Sequence, residues 1–249
     1  MNFSNATVLI TGGNSGIGRG LAEALAARGA KIIITGRNKD RLNEVVAANP
    51  GMAAYELDVN SADKLQTFAK TVVAEHPDLN AVILNAGILP YEKVLAERYD
   101  MEVVEQVFST NLMAPIRLTA ELLPHLHSKE EAAIVTVSSG LAFVPLASAS
   151  AYSASKAAIH SWSISMRHEL RSTNIAVAEI VPPLVATELT PGQSNNPYAM
   201  PLDAFITETI DLLCADVTPK EVLVQRVSPQ RTAEQTGNFD KVFGMINPA

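Results

Sequence analysis

Short runs of β-branched and aliphatic residues recur along the chain, and each run is apolar at consecutive positions. Seven are present: ATVLI (6–10), KIIIT (31–35), AAYEL (53–57), AVILN (81–85), AIVTV (133–137), IAVAEIV (175–181) and EVLVQ (221–225). Strands buried between two layers of helices in a parallel sheet are typically apolar on both faces. The pattern therefore predicts about seven parallel strands.

The segments between these runs have the length and the period of helices. In the segment 61–76 the apolar side chains recur every three or four positions, at Leu65, Phe68, Ala69, Val72 and Val73. Strands that alternate with such helices predict right-handed βαβ units and an α/β fold with a Rossmann-type, doubly wound sheet covered by helices on both faces. The sequence has no Pro/Gly/Ser-rich linker and no internal repeat, so we expect residues 1–249 to form a single domain.

The composition of the chain indicates which binding partners are disfavoured and which cellular compartment is expected. The formal net charge of −7 and the pI near 5.3 disfavour nucleic acids and anionic membrane surfaces, which are bound by clustered Lys and Arg. Cys214 is the single cysteine, which excludes an intrachain disulfide and favours a reducing, cytoplasmic setting. No apolar run approaches the ~20 residues that span a bilayer, and a glycine motif that begins at Thr11 leaves no room for a cleavable leader.

A glycine-rich turn, TGGNSGIG (11–18), lies between the first apolar run and a helical stretch. Gly12, Gly16 and Gly18 permit a tight turn and a close approach of a pyrophosphate to the helix N-terminus, where N–H groups and the dipole favour anions. This context predicts dinucleotide binding. The alternative is a glycine turn that serves only close packing of the helix on the sheet.

Small and polar residues follow four other predicted strands, in TGRN (35–38), LDV (57–59), LNAG (84–87) and VSSG (137–140). Ligands of open α/β sheets bind beyond the carboxyl ends of the strands, so these groups are expected in one cleft. Asp58 either accepts a hydrogen bond from an adenine amino group or caps the helix that begins near Ser61. Asn85 and Gly87 are expected to form a sharp turn beside a ribose.

The end of the second strand bears on the choice of cofactor. An NAD-preferring site has an Asp or Glu there, about 20 residues after the glycine turn, to bind the ribose hydroxyls. This chain has Gly36, which offers no carboxylate to repel a 2′-phosphate, and Arg37, whose planar cationic fork suits one. We therefore predict a preference for NADP(H) over NAD(H). The alternative is that Arg37 is a solvated loop charge.

The stretch YSASK (152–156) places a phenol and an ammonium one helical turn apart. Side chains at positions i and i+4 share a helix face, so Tyr152 and Lys156 can reach a common point in a cleft. The alternative is a packing tyrosine and a solvated lysine.

Together TGGNSGIG, NAG (85–87), Asn111, Ser139 and YSASK resemble the classical short-chain dehydrogenase/reductase family, over residues 6 to about 190. The segment PPLVAT (182–187) departs from the usual P-G-x-V-x-T of this family. It resembles a subgroup named after a dehydrogenase linked to D-alanine esterification of teichoic acids.

The resemblance implies a role for each matching residue. Tyr152 would be the catalytic acid/base, and Lys156 would lower its pKa and hold the ribose hydroxyls. Ser139 would polarise the substrate oxygen, and Asn111 would support a proton-relay water. The cofactor contacts predicted from these motifs and from the resemblance are Gly12, Asn14, Ser15, Gly16, Ile17, Gly18, Arg37, Asp58, Val59, Asn85, Ala86, Gly87, Tyr152, Lys156, Pro182, Val185 and Thr187.

The predicted function is an NADPH-dependent carbonyl reductase or alcohol dehydrogenase that acts on a hydrophobic ketone or secondary alcohol. The substrate side of the cleft is expected to contain Leu89, Tyr91, Phe143, Val144 and residues of the segment TPGQSNNPYAMPL (190–202). A lid is predicted over about 188–202, and a C-terminal helix over about 231–246. The family implies a homodimer or homotetramer. The five histidines have no metal-ligand spacing, so no metal is expected.

Two other functions share the fold. A catalytically silent NADP-binding sensor or regulatory protein would need the cofactor site alone. An epimerase or dehydratase of the extended relatives would need a separate substrate domain, for which 249 residues scarcely suffice.

Overall fold

The structure, a computed structural model, describes residues 3–92, 99–217 and 219–248. Seven strands form one sheet: β1 (Thr7–Thr11), β2 (Lys31–Gly36), β3 (Ala53–Glu56), β4 (Leu79–Leu84), β5 (Ala132–Val137), β6 (Ile175–Ile180) and β7 (Glu221–Val222). Their order across the sheet is β3-β2-β1-β4-β5-β6-β7, and every neighbouring pair is parallel. The predicted doubly wound sheet in a single domain is confirmed.

The connections between the strands contain the helices. Within the described residues these are α1 (Gly16–Ala26), α2 (Lys39–Ala48), α3 (Ala62–Glu75), α4 (Met101–Phe108), α5 (Ala114–His127), α6 (Ser150–Glu169), α7 (Leu202–Leu213), α8 (Ser228–Arg231) and α9 (Phe239–Ile246). A π-helical turn, Ser109–Met113, joins α4 to α5.

Two layers of helices bury the two faces of the sheet. Val8 and Ile10 of β1 pack in one core with residues of α1, α2 and α7, while Leu9 packs in a second core with residues of α3 and α5. Successive strand residues point to opposite faces. Both faces therefore need apolar side chains, and the strands are apolar at consecutive positions.

The last strand is shorter than its apolar run predicts. Only Glu221–Val222 pairs with β6, whereas the run extends to residue 225. Val181 N–H still donates to the Val222 carbonyl, but the next two residues of that segment are Pro182 and Pro183. Proline has no N–H to donate, so the ladder ends there.

The single C-terminal helix predicted over about 231–246 is wrong in detail. The structure has the short α8, ending at Arg231, and then α9 from Phe239 to Ile246. Gly237 lies between them with a φ of +68°, a left-handed conformation that interrupts a right-handed helix and that glycine adopts readily.

The segment 188–202, predicted to be a lid, is attached to the body at one end. Ala186 N–H donates to the Met200 carbonyl at 2.8 Å, and Met200 N–H donates to the Leu184 carbonyl at 2.8 Å. Met200 is buried, whereas Tyr198 is 78% exposed. The opening and closing of this segment stays a prediction.

A membrane-crossing helix would need a long apolar stretch. None of the helices in the described part of the chain is both long and apolar enough.

Candidate active site

A cavity of about 1070 Å³ opens at the carboxyl edge of the sheet, where the strand order reverses between β1 and β4. The residues that line it follow β1, β2, β3, β4, β5 and β6, and α6 contributes Tyr152 and Lys156. Of the predicted catalytic and cofactor residues, all line this cavity except Asp58 and Asn111. The fold thus brings groups from distant parts of the sequence to one cleft.

The glycine turn leaves room for an anion at the start of α1. Gly12 and Gly16 have φ values of +66° and +51°, and a Cβ on Gly18 would lie 2.3 Å from the Gly12 carbonyl oxygen. Ser15 is the N-cap of α1, yet its side chain caps none of the helix N–H groups. The donors of the first turn are therefore available to a phosphate, as a nicotinamide dinucleotide requires.

Asn85 holds the glycine turn against the end of β4. Its Nδ2 donates to the carbonyls of Thr11 and Gly12 at 2.9 Å and 3.3 Å. The Thr11 hydroxyl accepts hydrogen bonds from the N–H groups of Asn85 and Ala86 at 3.0 Å and 3.1 Å. Asn85 was predicted to form a turn beside a ribose; the part played by Thr11 was missed, because no local pattern links residues 74 positions apart.

Two arginines line the far end of the cavity. Arg37 is exposed, and its guanidinium forms no hydrogen bond or ion pair with any residue that the structure describes. Arg41, four residues later on α2, lines the same cavity and was missed by the sequence analysis. Its spacing from Arg37, one helical turn, was the signal that could have identified it.

The side chain of Asn14 occupies the space where a side chain at position 36 would lie. A Cβ on Gly36 would lie 2.6 Å from both Cγ and Oδ1 of Asn14. Asn14 therefore stands against the backbone at the position where an NAD-preferring site would carry its acid.

Tyr152 and Lys156 lie on one face of α6 and are 6% and 4% exposed. The start of this helix is held by Glu92, whose carboxylate accepts hydrogen bonds from the Ala151 N–H and the Ser150 hydroxyl, both at 2.7 Å. Lys156 Nζ donates to the Val137 carbonyl at 2.8 Å and lies 5.6 Å from the centroid of the Tyr152 ring. The alternative of a solvated surface lysine is therefore wrong.

Burial dominates the acid–base properties of this pair. It raises the pKa of Tyr152 to about 12, against a smaller lowering by a hydrogen bond with Ser139. Burial also lowers the pKa of Lys156 to about 8, against a smaller raising by Glu179. The resemblance implies that Lys156 lowers the pKa of Tyr152, but in this structure the larger influence on the phenol acts in the opposite direction. Tyr152 is thus a protonated phenol at neutral pH.

Asn111 lies behind the cavity wall in the π-helical turn and is 1% exposed. Its side-chain oxygen accepts from Ile88 N–H at 2.9 Å, and its Nδ2 donates to the Ile88 carbonyl and the Ser155 hydroxyl at 3.0 Å and 3.1 Å. The side chain therefore joins the segment after β4 to α6. Support of a relay water by this residue stays a prediction.

Asp58 does not cap α3. Its Oδ1 accepts from the Asn60 N–H at 3.1 Å, while Ser61 caps the helix by accepting from the Lys64 N–H at 3.4 Å. The cap interpretation was wrong because the serine lies next to the helix and Asp58 does not. The contact of Asp58 with adenine stays a prediction.

The segment predicted to be a lid contacts the turn that follows β6. Gln193 Nε2 donates to the Val185 carbonyl at 2.8 Å and to the Thr187 hydroxyl at 3.3 Å. Val185, Thr187, Pro182 and Gln193 all line the cavity. Gln193 belongs to the segment 190–202 that was expected to line the cleft, although no motif singled out this residue.

None of the four side chains predicted for the substrate side, Leu89, Tyr91, Phe143 and Val144, lines the cavity. Leu89 packs in a small core with Tyr152, and Tyr91 is 63% exposed at the surface. Val144 is fully buried, and the Phe143 ring packs between His160 and Arg231, with its centroid 4.7 Å from the imidazole centroid and 4.6 Å from the guanidinium carbon. The 3₁₀ turn Gly140–Ala142 turns the chain away from the cleft, which the sequence did not indicate.

One histidine lies among carboxylates. Single atoms of His160, Glu179 and Glu221 come within 4.8 Å of one another. Arg231 donates to both Glu221 oxygens at 2.7 Å and 3.0 Å, so the positive charge at this place comes from an arginine. The absence of a metal stays a prediction.

Comparison with known proteins gives consistent matches. Residues 6–197 match the family described as short chain dehydrogenase. The chain is 36% identical over 254 residues to the oxidoreductase DltE of Bacillus subtilis (strain 168), across 99% of this chain and 98% of that protein. These two matches confirm the resemblance inferred from the motifs, including its subgroup.

Solved structures match over most of the chain. A short chain dehydrogenase from Burkholderia cenocepacia J2315 in complex with NADP has a TM-score of 0.82 and 25% identity, with 100% of both chains covered. A 3-ketoacyl-(acyl-carrier-protein) reductase from Brucella melitensis complexed with NADH has a TM-score of 0.78 and 22% identity, over 90% of this chain and 95% of that one. The second likeness concerns the fold alone.

The glycine cradle predicts a specific loss of binding. A methyl group at Gly18 collides with the Gly12 carbonyl and with Asn85 Nδ2, 2.4 Å away, so Gly18→Ala should displace the turn. We expect the Kd for NADPH, measured by fluorescence titration, to rise at least about tenfold, which corresponds to about 1.4 kcal/mol. Gly244→Ala, at an open position of α9, is the control. Unchanged affinity in Gly18→Ala would show that the turn does not hold the cofactor.

Proposed function

The chain belongs to the short-chain dehydrogenase family, and on that basis we propose that it is an NADPH-dependent carbonyl reductase that acts on hydrophobic ketones and, in reverse, on secondary alcohols. The observation that carries this proposal is that the buried phenol of Tyr152 lines one cavity together with Ser139, Lys156 and the glycine cradle. A carbonyl reductase needs a proton donor at the substrate oxygen, and this phenol fits that requirement.

Each group of residues in the site has a separate role in the proposed reduction. The first turn of α1 holds the pyrophosphate, and Val185 and Thr187 hold the nicotinamide end. NADPH, when bound, supplies the hydride that reduces the carbonyl carbon. Tyr152 donates its proton to the carbonyl oxygen, and Ser139 donates a hydrogen bond to the same oxygen as negative charge develops there. Lys156, as a cation, binds the ribose hydroxyls and favours the phenolate that proton donation leaves behind.

The preference for NADPH rests on charge at the far end of the cavity. Arg37 has no described protein partner, and Arg41 lies on the same wall, in a chain whose net charge is −7. A 2′-phosphate would give both arginines an anion to bind. The related Burkholderia protein, solved in complex with NADP, adds support.

The lining of the cavity supports an uncharged, apolar substrate. Ile88, Pro182, Pro183 and Leu189 line the cavity, and the only charged lining side chain within 182–202 is Glu188, which would repel a carboxylate or phosphate. The alternative of a catalytically silent NADP sensor gains no support, since such a protein has no use for a buried Tyr152, Ser139 and Lys156.

The proposal also covers the cellular location of the protein and its oligomeric state. We place the protein in the cytoplasm, consistent with its single free cysteine, Cys214. We also propose a homodimer or homotetramer formed through helical faces on which Met101 is 54% and Ile164 is 47% exposed, because large apolar side chains exposed on helices favour association.

Tyr152→Phe tests the proton donor. The ring keeps its packing and only the transferable proton is lost, so we expect an unchanged Kd for NADPH and a kcat lower by about 10²- to 10⁴-fold. The measurement is the decrease in nicotinamide absorbance with an aryl ketone. Near-parental kcat would contradict the role given to Tyr152.

Arg37→Ala tests the choice of cofactor. Loss of charge-assisted hydrogen bonds worth about 1.5–3 kcal/mol should raise KM for NADPH by about 10- to 100-fold and leave KM for NADH nearly unchanged. Arg171→Ala, an exposed arginine outside the cavity, is the matched control. Gly36→Asp is a less suitable variant because it displaces Asn14. Equal kcat/KM for NADPH and NADH in the parent protein would exclude the discrimination assigned to Arg37.

A substrate panel tests the chemical class. We expect higher kcat/KM for aryl and medium-chain ketones than for keto acids or charged sugars, since the lining is apolar and carries Glu188. The measurement is initial rate at fixed NADPH. A better rate with anionic substrates would overturn the assignment.

A further inference from the structure

A group of charged side chains contacts α6 near Lys156, and none of its members lines the cavity. Its members, called the α6 charge cluster below, are the buried Glu179 and the partly buried His160, Glu221 and Arg231. His160 follows Lys156 by four residues on α6, so the two residues lie on the same helix face, about 6 Å apart along the axis. Glu179 and Glu221 are paired residues of β6 and β7.

The hydrogen bonds of the cluster join its members in two pairs. His160 Nδ1 lies 3.0 Å and 2.8 Å from the two oxygens of Glu179, so that nitrogen donates its hydrogen to the carboxylate. Arg231 forms two hydrogen bonds with Glu221. The charge of Glu221 is thus matched by a guanidinium, whereas the hydrogen-bonded partner of Glu179 is an imidazole.

Glu179 is 0% exposed, in a strand whose other residues are aliphatic. Burial of a carboxylate is costly unless a cation and hydrogen bonds accompany it. The cations on which Glu179 acts electrostatically are Lys156 and Arg231. Arg231 is already paired with Glu221, and His160 is a cation only when it is protonated. With a neutral His160, the cation left to balance Glu179 is Lys156.

The buried ammonium of Lys156 in turn needs a nearby anion or hydrogen-bond acceptors to remain charged. Its ammonium is 4% exposed, and its one hydrogen bond to a described residue is to the uncharged carbonyl of Val137. The hydrogen bonds between His160 and Glu179 hold the buried carboxylate against the helix face that also carries Lys156.

We propose that Glu179, held in place by His160, is a positioning residue that keeps the Lys156 ammonium charged and directed at the Val137 carbonyl. This inference rests on the proposed role of Lys156 in the reaction. It deepens that role by naming Glu179, a residue that lies outside all the motifs quoted above, as an internal counter-charge for Lys156.

Other charged groups near Lys156 and Glu179 also influence the pH at which Lys156 titrates. Arg167, also on α6, donates to the carbonyls of Val177 and Lys220 and acts electrostatically on Glu221. The described groups that face the cluster are Lys156, His160 and Arg167 from α6, Glu179 from β6, Glu221 from β7 and Arg231 from α8.

The decisive measurement is the titration of Lys156 itself, without cofactor or substrate. The chain is labelled with ¹³C at the lysine ε-carbon, the Lys156 signal is identified by its loss in Lys156→Arg, and its chemical shift is followed from pH 6 to 11. The parent should titrate near pH 8. In Glu179→Gln the midpoint should fall by about one pH unit or more, since loss of a nearby anion disfavours the ammonium.

Two variants complete the test. Glu169→Gln removes one negative charge from the exposed end of α6 and should titrate like the parent. Glu179→Asp retracts the carboxylate by one methylene and should give an intermediate midpoint. An unchanged midpoint in folded Glu179→Gln overturns the proposal; if that variant does not fold, an unchanged midpoint in Glu179→Asp does so.

The failure of this inference can be distinguished from failure of the proposed function. If the Lys156 midpoint moves but no ketone is reduced, the inference stands and the carbonyl reductase proposal fails. If ketones are reduced, the alkaline limb of kcat/KM should move to lower pH with Glu179→Gln, in step with the titration. Reduction with an unmoved titration and an unmoved limb overturns the inference alone.

Discussion

The site depends on one set of hydrogen bonds, which joins the ends of β1 and β4 at the reversal of strand order. Asn85 Nδ2 donates to the carbonyls of Thr11 and Gly12, and the Thr11 hydroxyl accepts from two N–H groups after β4. A Cβ on Gly18 would come 2.4 Å from Asn85 Nδ2, so the bond exists only because that residue is glycine. The glycine is therefore needed both for the approach of an anion and for the closure of the two strands.

A second constraint is the burial of ionisable groups on the opposite wall. Burial raises the pKa of the Tyr152 phenol and lowers the pKa of the Lys156 ammonium, so it favours the uncharged form of both side chains. The role proposed for Tyr152 needs the neutral phenol, whereas the role proposed for Lys156 needs the charged ammonium. The Val137 carbonyl accepts a hydrogen bond from the Lys156 ammonium, and Glu179 acts on the same ammonium electrostatically, so both favour its charged form.

Sequence patterns predicted a parallel sheet whose strands alternate with helices along the chain, and they predicted most of the residues that line the cavity. Both predictions rest on local signals, namely consecutive apolar runs and the motifs at strand ends. The sequence patterns failed where contacts between residues distant in the sequence determine the length of a strand or the position of a side chain. Two prolines after β6 shortened β7, and a 3₁₀ turn took Phe143 and Val144 away from the cleft. Glu179 was hidden inside an apolar run, IAVAEIV, and its importance depends on His160, 19 residues away on another element.

The same burial ties the chemistry to stability. A lysine whose folded pKa is lowered disfavours folding when it is charged, and this cost is fully present below the folded value of about 8. It diminishes as pH rises from there toward the unfolded value near 10.5, since the native lysine gives up its proton first. The charged state, which the proposed ribose contact requires, is thus the state in which Lys156 favours folding less. A buried glutamate near Lys156 reduces this conflict, which gives a physical reason for a charged side chain in the middle of a buried strand.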